Sequence, residues 1–164
     1  MFDLIDGVPI HPLVVHAVVV LVPLAALGTI AIAVRPGWRR TYGPLVVACG
    51  ALSAILAPVA TSSGEALEKH VGDPGEHAEL GDQLIWFILP LLVLSAALVW
   101  MDRRGTPSDR GASSSTGLKV VAALAVVAAL ATSVQVYRVG DSGARAAWGD
   151  KVQAGSGSGS GDGN

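Results

Sequence analysis

Four long stretches of the sequence contain no Asp, Glu, Lys or Arg, and the charged residues are concentrated between them. These stretches are Gly7–Val34, Thr41–Gly64, Gln83–Met101 and Val120–Tyr137. Each is long enough to form a helix across the hydrocarbon core of a bilayer, which takes about 20 apolar residues. Transmembrane strands would be about ten residues long and would alternate in polarity. The pattern therefore predicts an all-α fold, a polytopic membrane protein built as a bundle of four transmembrane helices.

Prolines and capping residues give approximate limits for these helices. Proline suits the first turn of a helix, so Pro12 and Pro44 mark the starts of the first two. The third has the clearest start, because Asp73-Pro74-Gly75-Glu76 combines an N-cap acid, a proline at the first helical position and a glutamate three residues after the cap. The expected helices cover residues 10–34, 44–63, 74–101 and 118–137, with Ser62-Ser63-Gly64 as the end of the second. No internal repeat is evident.

Composition agrees with this organisation. Charged residues make up 15% of the chain, against about 25% in soluble domains, and the mean hydropathy is +0.55. Residues 155–164 are rich in glycine and serine, which is typical of disordered tails. The expected domain plan is an N-terminal tail over residues 1–9, a transmembrane domain over 10–137, a C-terminal segment over 138–154 and a disordered tail over 155–164.

The charges between the apolar stretches predict the orientation. Arg35–Arg40 holds three arginines and no acid, and Asp102–Lys119 holds four basic residues against two acids. The loop between the second and third helices holds one base, Lys69, against six acids from Glu65 to Asp82. Short loops rich in Lys and Arg stay in the cytoplasm. Both termini and the acidic loop are therefore expected outside, an N-out/C-out topology, with the lipid bilayer as the partner and no nucleic acid.

All four histidines fall on the predicted outer side of the membrane. His11 and His16 lie at the start of the first helix, while His70 and His77 lie around the loop before the third. Neutral imidazole is a ligand for haem iron, Zn and Cu, and bundles bind such groups between facing helices. The candidate ligands are His16 and His77 first, then His11 and His70. Depth along the membrane normal favours pairing His77 or His70 with His11, because His16 lies deeper.

Other chemistry finds little support in the sequence. Cys49 is the single cysteine, so an internal disulfide and a thiol metal cluster are excluded. No Ser-His-Asp arrangement and no phosphate-binding loop is present, and no catalytic residue is assigned. Proton-coupled transporters carry charged residues inside the membrane and are larger. The chain is therefore expected not to be an enzyme.

The first-helix motif resembles that of a known family. His11-Pro12-x-x-Val15-His16 is similar to the opening His-Pro-x-x-Val-His-Phe-Pro of the domain-of-unknown-function family 2231 (DUF2231), predicted bacterial membrane proteins with four spans. Here Ala17-Val18 replaces Phe-Pro. Many relatives have histidine at the position of Asp141. Three further segments resemble actinobacterial members: Ser63–Glu68, His77–Gly81 and Gly140–Trp148.

The resemblance covers about residues 8–148 and implies a setting for the protein. It implies a multi-pass protein of the bacterial plasma membrane. Some relatives are fused to Rieske-type or c-type cytochrome modules, which implies redox membrane proteins as partners and a place near extracytoplasmic electron transfer. The resemblance implies no established activity.

Two functions of different classes remain open. In the first, a non-enzymatic membrane protein binds haem b, or else Zn or Cu, through its outward histidine cluster and is linked to electron transfer. In the alternative, a structural or accessory membrane protein has no cofactor and acts through protein partners. The distance between the imidazoles of His16 and His77 is the most useful single observation, because nitrogens more than about 6 Å apart argue against joint metal binding.

Overall fold

The computed structural model describes the backbone of residues 4–5, 8–71, 75–105 and 116–157 and the side chains of residues 11–66, 75–105, 116–146 and 148. A two-residue antiparallel hairpin pairs Leu4 with Pro9 and Ile5 with Val8. A 3-10 turn over Pro36–Trp38 joins the first two helices. The elements are β1 (Leu4–Ile5), β2 (Val8–Pro9), α1 (Ile10–Val34), α2 (Arg39–Val71), α3 (Glu76–Arg104) and α4 (Thr116–Gly157).

The four helices form a closed bundle. Each packs against its neighbour in chain order, and α4 returns against α1, so that α1 and α3 stand diagonally opposite. Four segments are long and apolar enough to cross a membrane, one for each helix, and the second begins in the 3-10 turn before α2: His11–Val34, Pro36–Ala66, Glu76–Arg104 and Thr116–Ala146. The prediction of a four-helix membrane bundle is confirmed.

The helix limits differ from the expected ones outside the apolar stretches. Helix α1 has the expected limits, but α2 begins at Arg39 and continues to Val71, and α4 continues to Gly157. Helix α3 begins at Glu76 after Gly75, which has a positive φ of 57°, and Asp73 and Pro74 lie outside the described residues. The first charges after an apolar stretch mark where a helix leaves the hydrocarbon, and nothing obliges the helix to end there. The segment expected after residue 137 therefore continues α4, and residues 158–164 lie outside the described residues.

The buried core runs along the bundle axis in three layers of small and branched side chains. Small residues let helix backbones approach closely in a membrane. An added Cβ on Gly43 would lie 2.6 Å from Val99 Cγ2, and one on Gly28 would lie 2.7 Å from Val46 Cγ2. The layers contain Val18, Val22, Ala57, Leu84 and Ile88; then Ala25, Ala26, Cys49, Leu91 and Ala129; then Ile32, Ala33, Val46, Leu98 and Val99.

The hairpins α1–α2 and α3–α4 repeat one arrangement, contrary to the expectation of no repeat. Most buried positions of α1 recur in α3 at a distance of 66 residues, and the buried Val46, Gly50 and Ser53 of α2 recur in α4 at a distance of 79. The offsets differ because the linker before α4 is longer than the turn before α2, which obscures the repeat in the sequence. The matched buried pairs include Val22 with Ile88, Thr29 with Ser95, Ile32 with Leu98, Val46 with Ala125, and Ser53 with Thr132.

A buried arginine closes one end of the bundle, called here the arginine end. The Arg39 guanidinium donates from Nε to the Ile32 carbonyl at 2.8 Å and from Nη2 to the Ala33 carbonyl at 3.0 Å. Its Nη1 lies 3.5 Å from Asp102 Oδ1, at the end of α3. A cation is favourable at a helix C-terminus, so Arg39 joins the last turns of α1 and α3.

Replacing Arg39 should destabilise the protein much more than replacing its neighbour. The side chain of Arg39 is 5% exposed and that of Arg40, which also approaches Asp102, is 52% exposed. Removing one partner of a buried ion pair costs about 3 kcal/mol, whereas exposed pairs contribute little. Thermal unfolding in detergent should show a large loss of stability for Arg39→Met and a small one for Arg40→Met. Equal losses would contradict the structural role of Arg39.

Candidate functional site

The first side chain of the candidate site is His11, in the first turn of α1. Its Nδ1 lies 2.9 Å from the carbonyl oxygen of Ala60 and 3.1 Å from Oγ of Ser63, both on α2. The Ser63 hydroxyl donates to the same Ala60 carbonyl at 2.9 Å, so both groups facing Nδ1 are acceptors. The proton of the neutral imidazole therefore belongs on Nδ1, and Nε2 keeps its lone pair.

His77 has the same environment at the start of α3. Its Nδ1 lies 3.1 Å from the carbonyl oxygen of Val139 and 3.2 Å from Oγ of Ser142, both on α4. The Ser142 hydroxyl donates to the Val139 carbonyl at 2.9 Å. By the same argument the neutral His77 imidazole carries its proton on Nδ1, with the lone pair on Nε2.

A glycine lies against each imidazole. An added Cβ on Gly64 would lie 3.0 Å from His11 Cε1, and one on Gly143 would lie 2.9 Å from His77 Cε1. The contact at Gly143 is too short for a methyl group, and the one at Gly64 is tight. Each imidazole therefore lies in the space that a larger side chain at the glycine position would occupy. Each hairpin thus holds its histidine with the same three groups on one helical turn: a carbonyl, a serine three residues later and the following glycine.

Both histidines line one cavity at this end of the bundle, called here the histidine end. The cavity has a volume of about 670 Å³, within the usual range for ligand sites. All four helices contribute to its wall, which is mostly apolar. The polar and charged side chains of the wall, besides the histidines, are Thr61, Glu65 and Asp82.

The structure brings together two of the four histidines singled out from the sequence. His11 and His77 share the cavity, whereas His16 is exposed, bonds through Nδ1 to the Pro12 carbonyl of its own helix and does not line the cavity. The residue one turn after His11 is Val15, and it does line the wall. His70 lies within α2, but its side chain is outside the described residues.

Sequence reasoning missed the residues that hold the imidazoles. It interpreted Ser63 and Gly64 as a helix end and gave Ser142 and Gly143 no role in holding a histidine. A signal was present, since a Ser-Gly pair occurs in the same part of both second helices of the hairpins. The pairs become informative when their contacts with a histidine on the other helix of the hairpin are known.

Within the described residues, no three His, Cys, Asp or Glu side chains lie close enough together to hold a metal ion. A structural zinc site takes four protein ligands, and a catalytic zinc site takes three. Haem iron needs one or two axial ligands from the protein. The described part of the cavity offers two imidazoles, His11 and His77, which is a sufficient number for such an iron.

The fold and the cavity define a multi-pass helical membrane protein with two imidazoles held against one cavity. The chain belongs to the family of predicted membrane proteins DUF2231, whose model matches residues 7–156. The match includes both hairpins and both histidine-holding turns. No curated protein and no solved structure matches the chain.

The two glycines on α4 that line the cavity should respond oppositely to alanine. In a helix, replacing glycine by alanine stabilises by about 0.5–1 kcal/mol when the added methyl group is free of contacts. An added Cβ on Gly140 meets nothing within 4 Å, whereas one on Gly143 meets the His77 ring. Thermal unfolding should show Gly140→Ala as more stable than the wild type and Gly143→Ala as less stable. A gain of stability in both variants would contradict the close packing of His77.

Proposed function

We propose that the protein binds one haem b in the cavity at the histidine end, where Nε2 of His11 and Nε2 of His77 would hold its iron. The observation that carries this proposal is the pair of imidazoles that line one cavity, each with Nδ1 engaged by the adjacent helix. An imidazole held in this way presents an unprotonated Nε2, which is the atom that binds iron.

The hydrogen bonds at Nδ1 support ligation because they fix the ring and its tautomer. Histidines that bind metals almost always donate their other N–H to a carbonyl, a carboxylate or water, and this raises the basicity of the ligand. Both candidate histidines have a carbonyl and a serine oxygen in this position. The two glycines prevent the rings from being pushed out of place.

The size and the lining of the cavity favour haem over an isolated metal ion. Its volume and mostly apolar wall suit a large flat molecule, and four-helix bundles bind cofactors between facing helices. Among the described residues that line it there is no lysine or arginine, so the haem propionates have no cationic partner there and would need water. Glu65 and Asp82 add negative charge to the wall, which favours the ferric state and therefore a low reduction potential.

A haem held by two histidines would supply one-electron transfer. We therefore infer an electron carrier and not an enzyme. Redox membrane proteins would then be its partners. The arginine end, with Arg35, Arg39, Arg40, Arg103 and Arg104, suits the cytoplasmic side of a bacterial plasma membrane, so the cavity would open on the extracytoplasmic side.

Haem binding should depend on His11 and His77 and not on His16. Protein purified after haem-replete expression, or titrated with hemin, should show a Soret band. His11→Ala and His77→Ala should each reduce it strongly or abolish it, because each variant removes one of the two imidazoles that would hold the iron. His16→Ala is the matched control and should retain the band, since this imidazole does not line the cavity.

A colourless wild-type protein that binds no added hemin would contradict the proposal. Metal analysis of the same sample would then test Zn and Cu. Metal-free protein would favour the cofactor-free accessory function, in which the two histidines join the helices of each hairpin.

A further inference from the structure

We propose that Gly81 and Gly140 set the size of the haem site, because together they leave open a space in the cavity wall one turn deeper than His77. This inference rests on the proposed haem binding and deepens it. It concerns which wall residues leave room for a molecule of that size.

The cavity wall follows the repeat of the two hairpins in part. Four pairs of matched wall residues are of similar size, or larger on the α3–α4 half: Val18 with Leu84, Ala57 with Val136, Ala60 with Val139, and Gly64 with Gly143. At two other pairs the α3–α4 half has glycine where the α1–α2 half has a larger residue: Val15 is matched by Gly81, and Thr61 by Gly140. Four wall residues have no matched residue in the wall: Val19, Glu65, Ala78 and Asp82. At the two glycine positions the α3–α4 half lacks a side chain that the other half has.

These two glycines have no packing reason inside the protein. The helical glycines Gly28, Gly43, Gly64 and Gly143 each lie against a side chain, and an added Cβ would meet it at 3.0 Å or less. An added Cβ on Gly81 or Gly140 meets nothing within 4 Å. Glycine inside a helix is less favourable than alanine. Both glycines therefore lower the stability of the fold, and no contact inside the protein requires glycine at either position. Space for a bound molecule supplies the missing reason.

The open space adjoins one of the two ligands. Gly81 follows His77 by four residues on α3, and Gly140 precedes Gly143 by three residues on α4. Residues three or four apart lie on the same helix face, so both glycines lie one turn deeper in the bundle than the His77 ring. The equivalent space under His11 is filled by Val15 and Thr61.

Filling the open space at Gly81 and Gly140 should weaken haem binding without unfolding the protein. Gly81→Val and Gly140→Thr give each glycine the side chain of its counterpart in the other hairpin. Hemin is titrated into the full-length apoprotein in detergent and followed by its Soret absorbance. We expect the Kd of each variant to rise ten- to hundredfold, because overpacking a closed site costs the equivalent of about one to two decades in affinity. The far-UV circular dichroism and the Tm of the apoprotein should not fall.

The control is Ala123→Val, which adds similar bulk on an exposed face of α4 away from the cavity wall. The Kd of this variant for hemin should equal that of the wild type.

If a large substitution impairs folding, Gly81→Ala and Gly140→Ala are measured instead and should weaken hemin binding several-fold. Variants that bind hemin as tightly as the wild type would overturn this inference and leave haem binding intact. A wild type without hemin binding would overturn the proposed function and this inference with it.

Discussion

The hydrogen bond from a histidine Nδ1 to a helix carbonyl is the constraint on which the site depends. Helix carbonyls are normally committed to their own helix, but the carbonyls of Ala60 and Val139 also accept from an imidazole on the adjacent helix. A serine beside each carbonyl adds a second acceptor, and a glycine makes room for the ring. This combination fixes the ring of each histidine through Nδ1 and leaves Nε2 outside these hydrogen bonds.

The duplication of this arrangement explains the form of the cavity. Two hairpins with the same buried positions pack into one closed bundle, and their histidine-holding turns meet around a common space. Buried polar groups farther along the bundle bond to helix carbonyls instead: Ser53 to Cys49, Thr132 to Ala128 and Gln135 to Leu80. Such bonds satisfy polar groups where water is absent. Gly81 and Gly140 are two positions at which the wall departs from this repeat.

The sequence was sufficient for the spans and insufficient for the site. Charge-free length alone identifies four membrane helices, and the limits of α1 agree with the structure. The ends of α2 and α4 were misplaced because charges mark the membrane boundary and not the end of a helix. The expected depth along the membrane normal favoured His11 over His16 as a partner for His77. Only packing decides that His16 turns away, and Ser63 and Ser142 acquire their role through contacts with histidines 52 and 65 residues distant.

The most direct test of this account is the tautomeric state of the histidine rings, read from ¹⁵N NMR of histidine-labelled apoprotein in detergent at a pH where the rings are neutral. The account predicts that His11 and His77, assigned through single alanine variants, carry their proton on Nδ1 and have an unprotonated Nε2. A proton on Nε2 of either ring would contradict it, because that ring could neither donate to its carbonyl through Nδ1 nor offer Nε2 to a haem iron.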